Sequence, residues 1–441
     1  MSAPDPSQDE SPPCPDDGNS SPLPYLLLLA LLIIPAGYGH LAVVVMGPQL
    51  QAHFGISAVE QGMLLAAAVG GALPALFVVG PLSDRWGAQR TIRVGLGGMG
   101  IAFALCGLGT HVGIFAAGLA LMGFFFTDLV VSVPAYLVRL YPNHQRRALA
   151  IVFTVFNVPQ VFLPGILDRL MTAFPEHFTF VFHLPYLTIG LLLLLGQLIF
   201  AGAPEDPQHG PAVSLRDGFR QLTRPALLLV VLLSALHAGG DNAFHYWFPT
   251  YYKLRFGPGL PLRPGDVIAL VALGYVVVRS IIVLLPEGRG QRFLLVAPGI
   301  VGGAVLLSLV LLDRPLLLGI GYPIAAFIWG AEYPPVMSEA SSRARRYFAS
   351  FLAVNTLGMQ LATAVVVLCT GGLLSSFQLT ELAGLAGFDL LPEWLPDQRA
   401  AMLLAPTCLI FFGLVAFFTH LGKGAADDTR DLDAQADTAA E

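Results

Sequence analysis

Long apolar runs separated by short polar joints set the plan of this chain. Apolar residues dominate positions 25–46, 58–79, 92–110, 112–138, 148–167 and 181–202, then 225–252, 266–285, 293–312, 316–338, 348–372 and 400–421. Each run is close to the roughly 20 residues with which a helix, rising about 1.5 Å per residue, crosses a bilayer core about 30 Å thick. The pattern predicts an all-α integral membrane protein with twelve transmembrane helices.

The longest interior polar joint, 203–224, opens with Pro204-Glu205-Asp206-Pro207 and closes with Arg216, Arg220 and Arg224. It reads as a cytoplasmic linker between two pseudo-symmetric six-helix bundles, 25–202 and 225–421, flanked by disordered cytoplasmic tails at 1–24 and 422–441. The first tail has no Lys or Arg, and no Ala-x-Ala site follows the first run, so that run reads as a retained helix rather than a cleaved leader.

Composition agrees with a membrane protein. The chain is 55% hydrophobic and 12% charged, about half the charge of an ordinary soluble domain. The net charge of −6 is dominated by acid in the two tails, and no basic stripe suggests nucleic acid. The four cysteines are scattered and give neither metal spacing nor a disulfide framework. Gly95, Gly97 and Gly100 satisfy Gly-x-Gly-x-x-Gly inside an apolar run with no strand before it, so close helix packing explains them better than dinucleotide binding. No phosphate-binding loop and no catalytic set is assembled, so no cofactor and no enzyme activity are expected.

Charge also orients the chain, because cytoplasmic loops retain Lys and Arg. With both termini inside, only Arg169, Lys253, Arg255, Arg263, Arg314 and Arg399 of the 23 cations fall outside, and Arg279 alone is expected within the membrane. A cell inner or plasma membrane is the expected location. The halves echo each other near an offset of 200. Arg146-Arg147 precedes a run carrying Asn157, and Arg345-Arg346 precedes one carrying Asn355; Gly39-His40 likewise pairs with His237 to Gly240. Weak symmetry of this kind is found in transporters built from repeats.

The joint between the second and third runs reads Gly80-Pro-Leu-Ser-Asp-Arg-Trp-Gly-Ala-Gln-Arg90. Its Gly80, Asp84, Arg85, Gly87 and Arg90 match the signature Gly-x-x-x-Asp-Arg-x-Gly-x-x-Arg/Lys at the position where major facilitator superfamily transporters carry it. The chain resembles that family over its whole length. The resemblance implies two six-helix bundles rocking around a central site by alternating access. It also implies that Asp84 docks on the N-terminus of the eleventh helix, near Tyr347, and holds the inner gate closed, with Arg85 and Arg90 completing a charge network. Gly80 would let the second helix approach its neighbour closely, and Asp84 would meet the positive end of a helix dipole, worth roughly 0.3–1 kcal/mol and up to about 2 when partly buried. The fourth-helix Arg and the glycine-rich antiporter pattern of the fifth helix are missing, which disfavours drug/proton antiport.

Polar groups inside the runs are the candidates for chemistry, because ionisable side chains at membrane depth normally face a cavity or a partner. Asp128 and Glu332 are deep carboxylates, the latter beside Pro334-Pro335. His237, Asp241 and His245, four apart, share one drifting stripe of the seventh run. That stripe reads as substrate or proton contacts, or as satisfied interior groups, rather than a metal site. Arg279 either snorkels to the interface or points inward toward an anion. His40, Asn157, Gln160, Asn355 and Gln360 supply further mid-helix polar groups, with interhelical hydrogen bonding as the alternative reading. The expected function is secondary active transport of a small polar or anionic organic solute, proton-coupled as symport or antiport, by a monomer in the lipid bilayer. A non-transporting receptor or sensor and a drug/proton efflux antiporter are the alternatives.

Overall fold

The structure, a computed structural model, describes residues 23–56, 58–174, 177–205, 224–257, 260–286, 290–344, 347–385 and 399–419. The tails lie outside these residues apart from Leu23 and Pro24, and so does the central linker apart from 203–205 and 224. The described chain is helical throughout. Ten of its helices are long and apolar enough to cross a membrane.

Three of the twelve expected spans are interrupted, the twelfth only at Leu403. The first divides into Leu23–Ala36, Tyr38–Val45 and Gly47–Phe54, because Pro35 lacks an N–H and the chain kinks at Gly37 and again before Gly47-Pro48. The tenth divides into Pro315–Trp329 and Tyr333–Ala344. Pro334 and Pro335 have no N–H to give to a continuous helix, and their rings would strike the carbonyls of the preceding turn. At the start of a new helix those donors are not needed. The break leaves Gly330 to Glu332 as a bend in the middle of the span.

The other spans are Ala58–Trp86, Ala88–Leu108, Val112–Leu140, Gln145–Ala173, Phe178–Phe200, Pro225–Phe256, Pro264–Leu284, Gln291–Leu312, Phe348–Leu385 and Arg399–Met402 continued by Leu404–Phe418. The second span therefore runs through Gly80 and Asp84 as helix, and the reversal expected across the whole joint is made at Gly87 alone. Gly87 adopts φ 92°, a conformation that side-chain-bearing residues rarely take.

Packing divides the helices into two groups. Before the linker, the fourth span packs on the second and third, and the sixth on the first and third. After it, the seventh packs on the eleventh and twelfth, the ninth on the tenth and twelfth, and the eighth on the tenth. The groups meet where the second span lies against the eleventh and the fifth against the eighth. Large apolar side chains such as Leu31, Phe77, Leu198, Leu284 and Phe293 are exposed around the outside, a surface suited to lipid rather than water.

One apolar core runs from the N-terminal bundle into Val336, Met337, Ala340, Phe348 and Phe351 of the C-terminal bundle. A second, around Phe244, Phe248, Tyr322 and Trp329, belongs to the C-terminal bundle alone. The shared core lies on the side where the linker leaves the sixth span. There Gln89 donates to the Ala203 carbonyl at 3.3 Å, Tyr136 to the Pro204 carbonyl at 2.7 Å, and Arg90 pairs with Glu205 at 3.0 Å.

Candidate functional site

The seam between the bundles is built on the joint after the second span. Gly80 lets two helices touch: a Cβ there would sit 2.8 Å from Ser350 Cα and 2.9 Å from the Ala349 carbonyl oxygen. One turn on, Asp84 caps the first turn of the eleventh span. Its Oδ2 accepts from Ser350 N at 2.8 Å and Ser350 Oγ at 2.6 Å, and its Oδ1 from Ala349 N at 3.3 Å. These are donors that a helix N-terminus leaves unpaired.

The cation on Asp84 is Arg139 of the fourth span, at 2.6 Å, with both side chains almost wholly buried. The charge network expected of Arg85 and Arg90 is therefore corrected. Arg85 is exposed and Arg90 pairs outward with Glu205, whereas Arg139, ending the fourth span, is brought inward against Asp84. The seam continues with Arg146 and Arg147, which donate to the Leu285 and Pro286 carbonyls after the eighth span, and with Ser341 against Gln145.

Deeper in the C-terminal bundle, the helix break places Glu332 against the seventh span. Its Oε1 pairs with His237 Nδ1, both side chains being buried, and Oε2 has no hydrogen-bond partner among the described residues. Gly299 of the ninth span makes room for that second oxygen, since a Cβ there would come within 3.0 Å of it. The His237 ring stacks on Tyr333 at 5.6 Å and meets the edge of Phe412 at 6.3 Å. One turn along the seventh span, Asp241 accepts from Tyr275 and, at 3.2 Å, from Trp329 Nε1, which also lies 2.9 Å from the Tyr275 hydroxyl. A further turn on, His245 meets the Tyr322 hydroxyl at 3.4 Å. The four-residue stripe thus keeps one face, but each member has its own partners.

Arg279 does not snorkel. It is buried, lies over the Tyr275 ring at 5.2 Å, and reaches across the seam to donate to the Phe153 carbonyl at 3.0 Å. Asn157 donates to that same carbonyl at 2.6 Å. Two polar residues from different bundles, 122 positions apart in the numbering, therefore converge on one acceptor.

The N-terminal bundle treats its carboxylate differently. Asp128 accepts from Ser132 of its own helix at 2.8 Å and fills the space that Gly95 of the third span leaves open. Its neighbour Thr127 instead borders a cavity of about 310 Å³ between the first, second, fourth and fifth spans, where Gln160, Phe126, Phe156 and Gln360 of the eleventh span also line the wall. Asn355 is buried against Met337 and Met359 rather than in that cavity. The His40 side chain lies outside the described residues.

Sequence reasoning missed Tyr275, Tyr322, Trp329 and Tyr333, which bind or stack on the candidates it named. Two signals were present: Tyr275 precedes Arg279 by one helical turn, and Trp329 and Tyr333 flank the break at Glu332.

Residues 27–367 match the family model described as Major Facilitator Superfamily. Among curated relatives, an uncharacterized MFS-type transporter YceJ of Bacillus subtilis (strain 168) is 25% identical over 343 residues, covering 75% of this chain and 84% of the relative. Among solved structures, the E. coli transporter FucP in the outward conformation superposes with a TM-score of 0.66 at 16% identity, covering 90% of this chain and 98% of that one. The human organic anion transporter MFSD10 gives a TM-score of 0.67 at 15% identity, covering 89% and 98%. With a family model that spans most of the chain and a fold shared with these transporters, the chain belongs to the Major Facilitator Superfamily.

Proposed function

We propose that the protein is a proton-coupled secondary transporter of a small polar or anionic organic solute, working by alternating access. The observation that carries this reading is the pairing of Glu332 and His237 at the broken middle of the tenth span. A carboxyl and an imidazole in contact form a unit that takes up and releases a proton. The unit bridges two helices of one bundle, with the bend at Gly330 to Glu332 beneath it, so a change in its charge alters how the seventh and tenth spans fit together. Tyr275 and Trp329 hold Asp241 one turn away and extend the polar path toward Arg279.

The solute reading rests on Thr127, Gln160 and Gln360 in an otherwise apolar cavity wall and on Arg279, which lies at the seam outside that wall. A guanidinium at the seam between bundles suits a carboxylate or phosphate, which it grips with two parallel hydrogen bonds. The linker-side seam supports a state closed toward the cytoplasm, given the excess of Lys and Arg on that side. FucP is titled a fucose:proton symporter and MFSD10 an organic anion transporter. Likeness at 15–16% identity carries the fold, so the substrate class is argued from this chain's residues.

The test is uptake by the purified protein in liposomes across panels of sugars, organic acids and drugs, with and without an inward pH gradient. Uptake of a polar or anionic solute that rises with the gradient supports the proposal. Uptake indifferent to the gradient removes proton coupling, and a ligand bound but never moved identifies a receptor instead.

A further inference from the structure

A second cavity, of about 350 Å³, opens on the linker side among the first, fourth, fifth and eighth spans. Its walls are apolar: Leu29 and Ile33 of the first span, Val133 and Leu137 of the fourth, and Val152 and Val155 of the fifth. One end differs. Tyr141, His144 and Arg147 gather there, around the turn between the fourth and fifth spans, and no carboxylate lines the slot among the described residues. From Tyr141 to Val133 the fourth helix descends eight residues, about 12 Å at the helical rise. The slot is thus an apolar channel running inward from a cationic, aromatic rim.

From this arrangement we infer that the slot holds one acyl chain of an anionic phospholipid from the linker-side leaflet, with its phosphate at Arg147 and His144. Apolar walls of this depth match an alkyl chain in polarity and length, and selectivity falls to the rim, because the chain leaves one apolar surrounding for another. Basic pockets between helices on the cytoplasmic side suit anionic headgroups. The slot is also shared between the bundles. Val283 of the eighth span closes one wall, and Arg147 already donates to the neighbouring Leu285 carbonyl at 3.2 Å. A lipid seated there touches both halves at the seam and favours the state in which they are joined. The site is separate from Glu332 and His237, and the inference does not depend on which solute is carried.

Native mass spectrometry of the purified full chain tests it, using dioleoyl phosphatidylglycerol, dioleoyl phosphatidylcholine and free oleate as probes. Phosphatidylglycerol is expected to be retained at least about tenfold more than phosphatidylcholine, a difference of about 1.4 kcal/mol. The paired substitution Arg147→Gln with His144→Gln should remove that preference while leaving some retention of both lipids. Ile151→Trp, placed at the exposed edge of the slot, should block retention of both with the rim intact. Hydrogen exchange around the joint after the eighth span should slow when phosphatidylglycerol is added to the unsubstituted protein and stay unchanged in the Ile151→Trp variant. Equal retention of the two phospholipids, oleate competing as well as phosphatidylglycerol, or full retention by Ile151→Trp would each overturn the proposal.

Discussion

Asp128 and Glu332 are both carboxylates buried in the middle of apolar spans, one in each bundle, yet their surroundings have little in common. Asp128 sits on an unbroken stretch of helix, takes a hydrogen bond from Ser132 one turn on, and fills the notch at Gly95. Glu332 sits at a helix break, pairs with His237 of another span, and keeps one oxygen without a partner. Depth in the membrane therefore does not define a working carboxylate. What separates the two is whether the partner belongs to the same rigid helix or to one that can shift relative to it. By this measure we propose Glu332 rather than Asp128 as the switching group.

The largest effect is expected at a third buried carboxylate, Asp84, which pairs with Arg139 of its own bundle and caps a helix of the opposite one. Asp84→Ala leaves Arg139 buried without its ion pair and the first turn of the eleventh span uncapped. Breaking such a pair costs on the order of 3–5 kcal/mol. Labelling of a reporter Ala344→Cys in the shared core should rise sharply, and unchanged labelling with unchanged uptake would show that the seam is no lock.

Next comes Glu332→Gln, which keeps the shape and removes the titrating group. Loss of a hydrogen bond to a charged group, about 1.5–3 kcal/mol, corresponds to roughly a ten- to hundredfold fall in gradient-driven uptake. Solute exchange without a gradient should survive. Asp128→Asn should do much less, because hydrogen bonds within the membrane average about 0.6 kcal/mol; uptake is expected to change less than about fivefold. Should Asp128→Asn abolish gradient-driven uptake while Glu332→Gln spares it, the assignment is reversed.

The smallest effect belongs to a carboxylate at the water surface. Asp313, at the end of the ninth span, takes hydrogen bonds from Arg255, which hold its carboxyl below the ordinary carboxylate range. A lowered folded-state value gives stability that is present above the unfolded value and lost as pH falls through the folded one. The pair is partly exposed, with side-chain exposures of 30% and 22%, so its worth is no more than about 1 kcal/mol. Asp313→Asn should lower Tm slightly at neutral pH, and the gap to the unsubstituted protein should close in acid. A gap that persists in acid would show that the charge of Asp313 is not what the pair contributes, since Asn accepts its φ of 54° as readily as Asp.

The spans were legible because hydrophobic length acts locally and needs no partner. Asp84 was legible too, since the signature around it places it at the end of the second helix, facing the eleventh. Its cation was not: Arg139 reads in sequence as an ordinary cation at a helix end, and only the crossing of the second and fourth spans brings it to 2.6 Å. For Arg279, rise along the helix left two directions open, and the Phe153 carbonyl across the seam settled which one it takes. The broken tenth span was marked by Pro334-Pro335, but the partner that the break exposes, His237, lies 95 residues away.

Taken alone, the sequence determined that this chain is a membrane protein with two groups of apolar helices, a charged joint after the second, and polar residues in the seventh, eighth and tenth. Tertiary structure decided which of those residues meet. In a bilayer a span is apolar on its lipid face and its packed face alike, so composition does not mark which way a side chain turns. Helix rotation and crossing, set by close approaches such as Gly80 to Ser350 and Gly95 to Asp128, chose the partners. They sent Asp128 into a helix contact and Glu332 to His237.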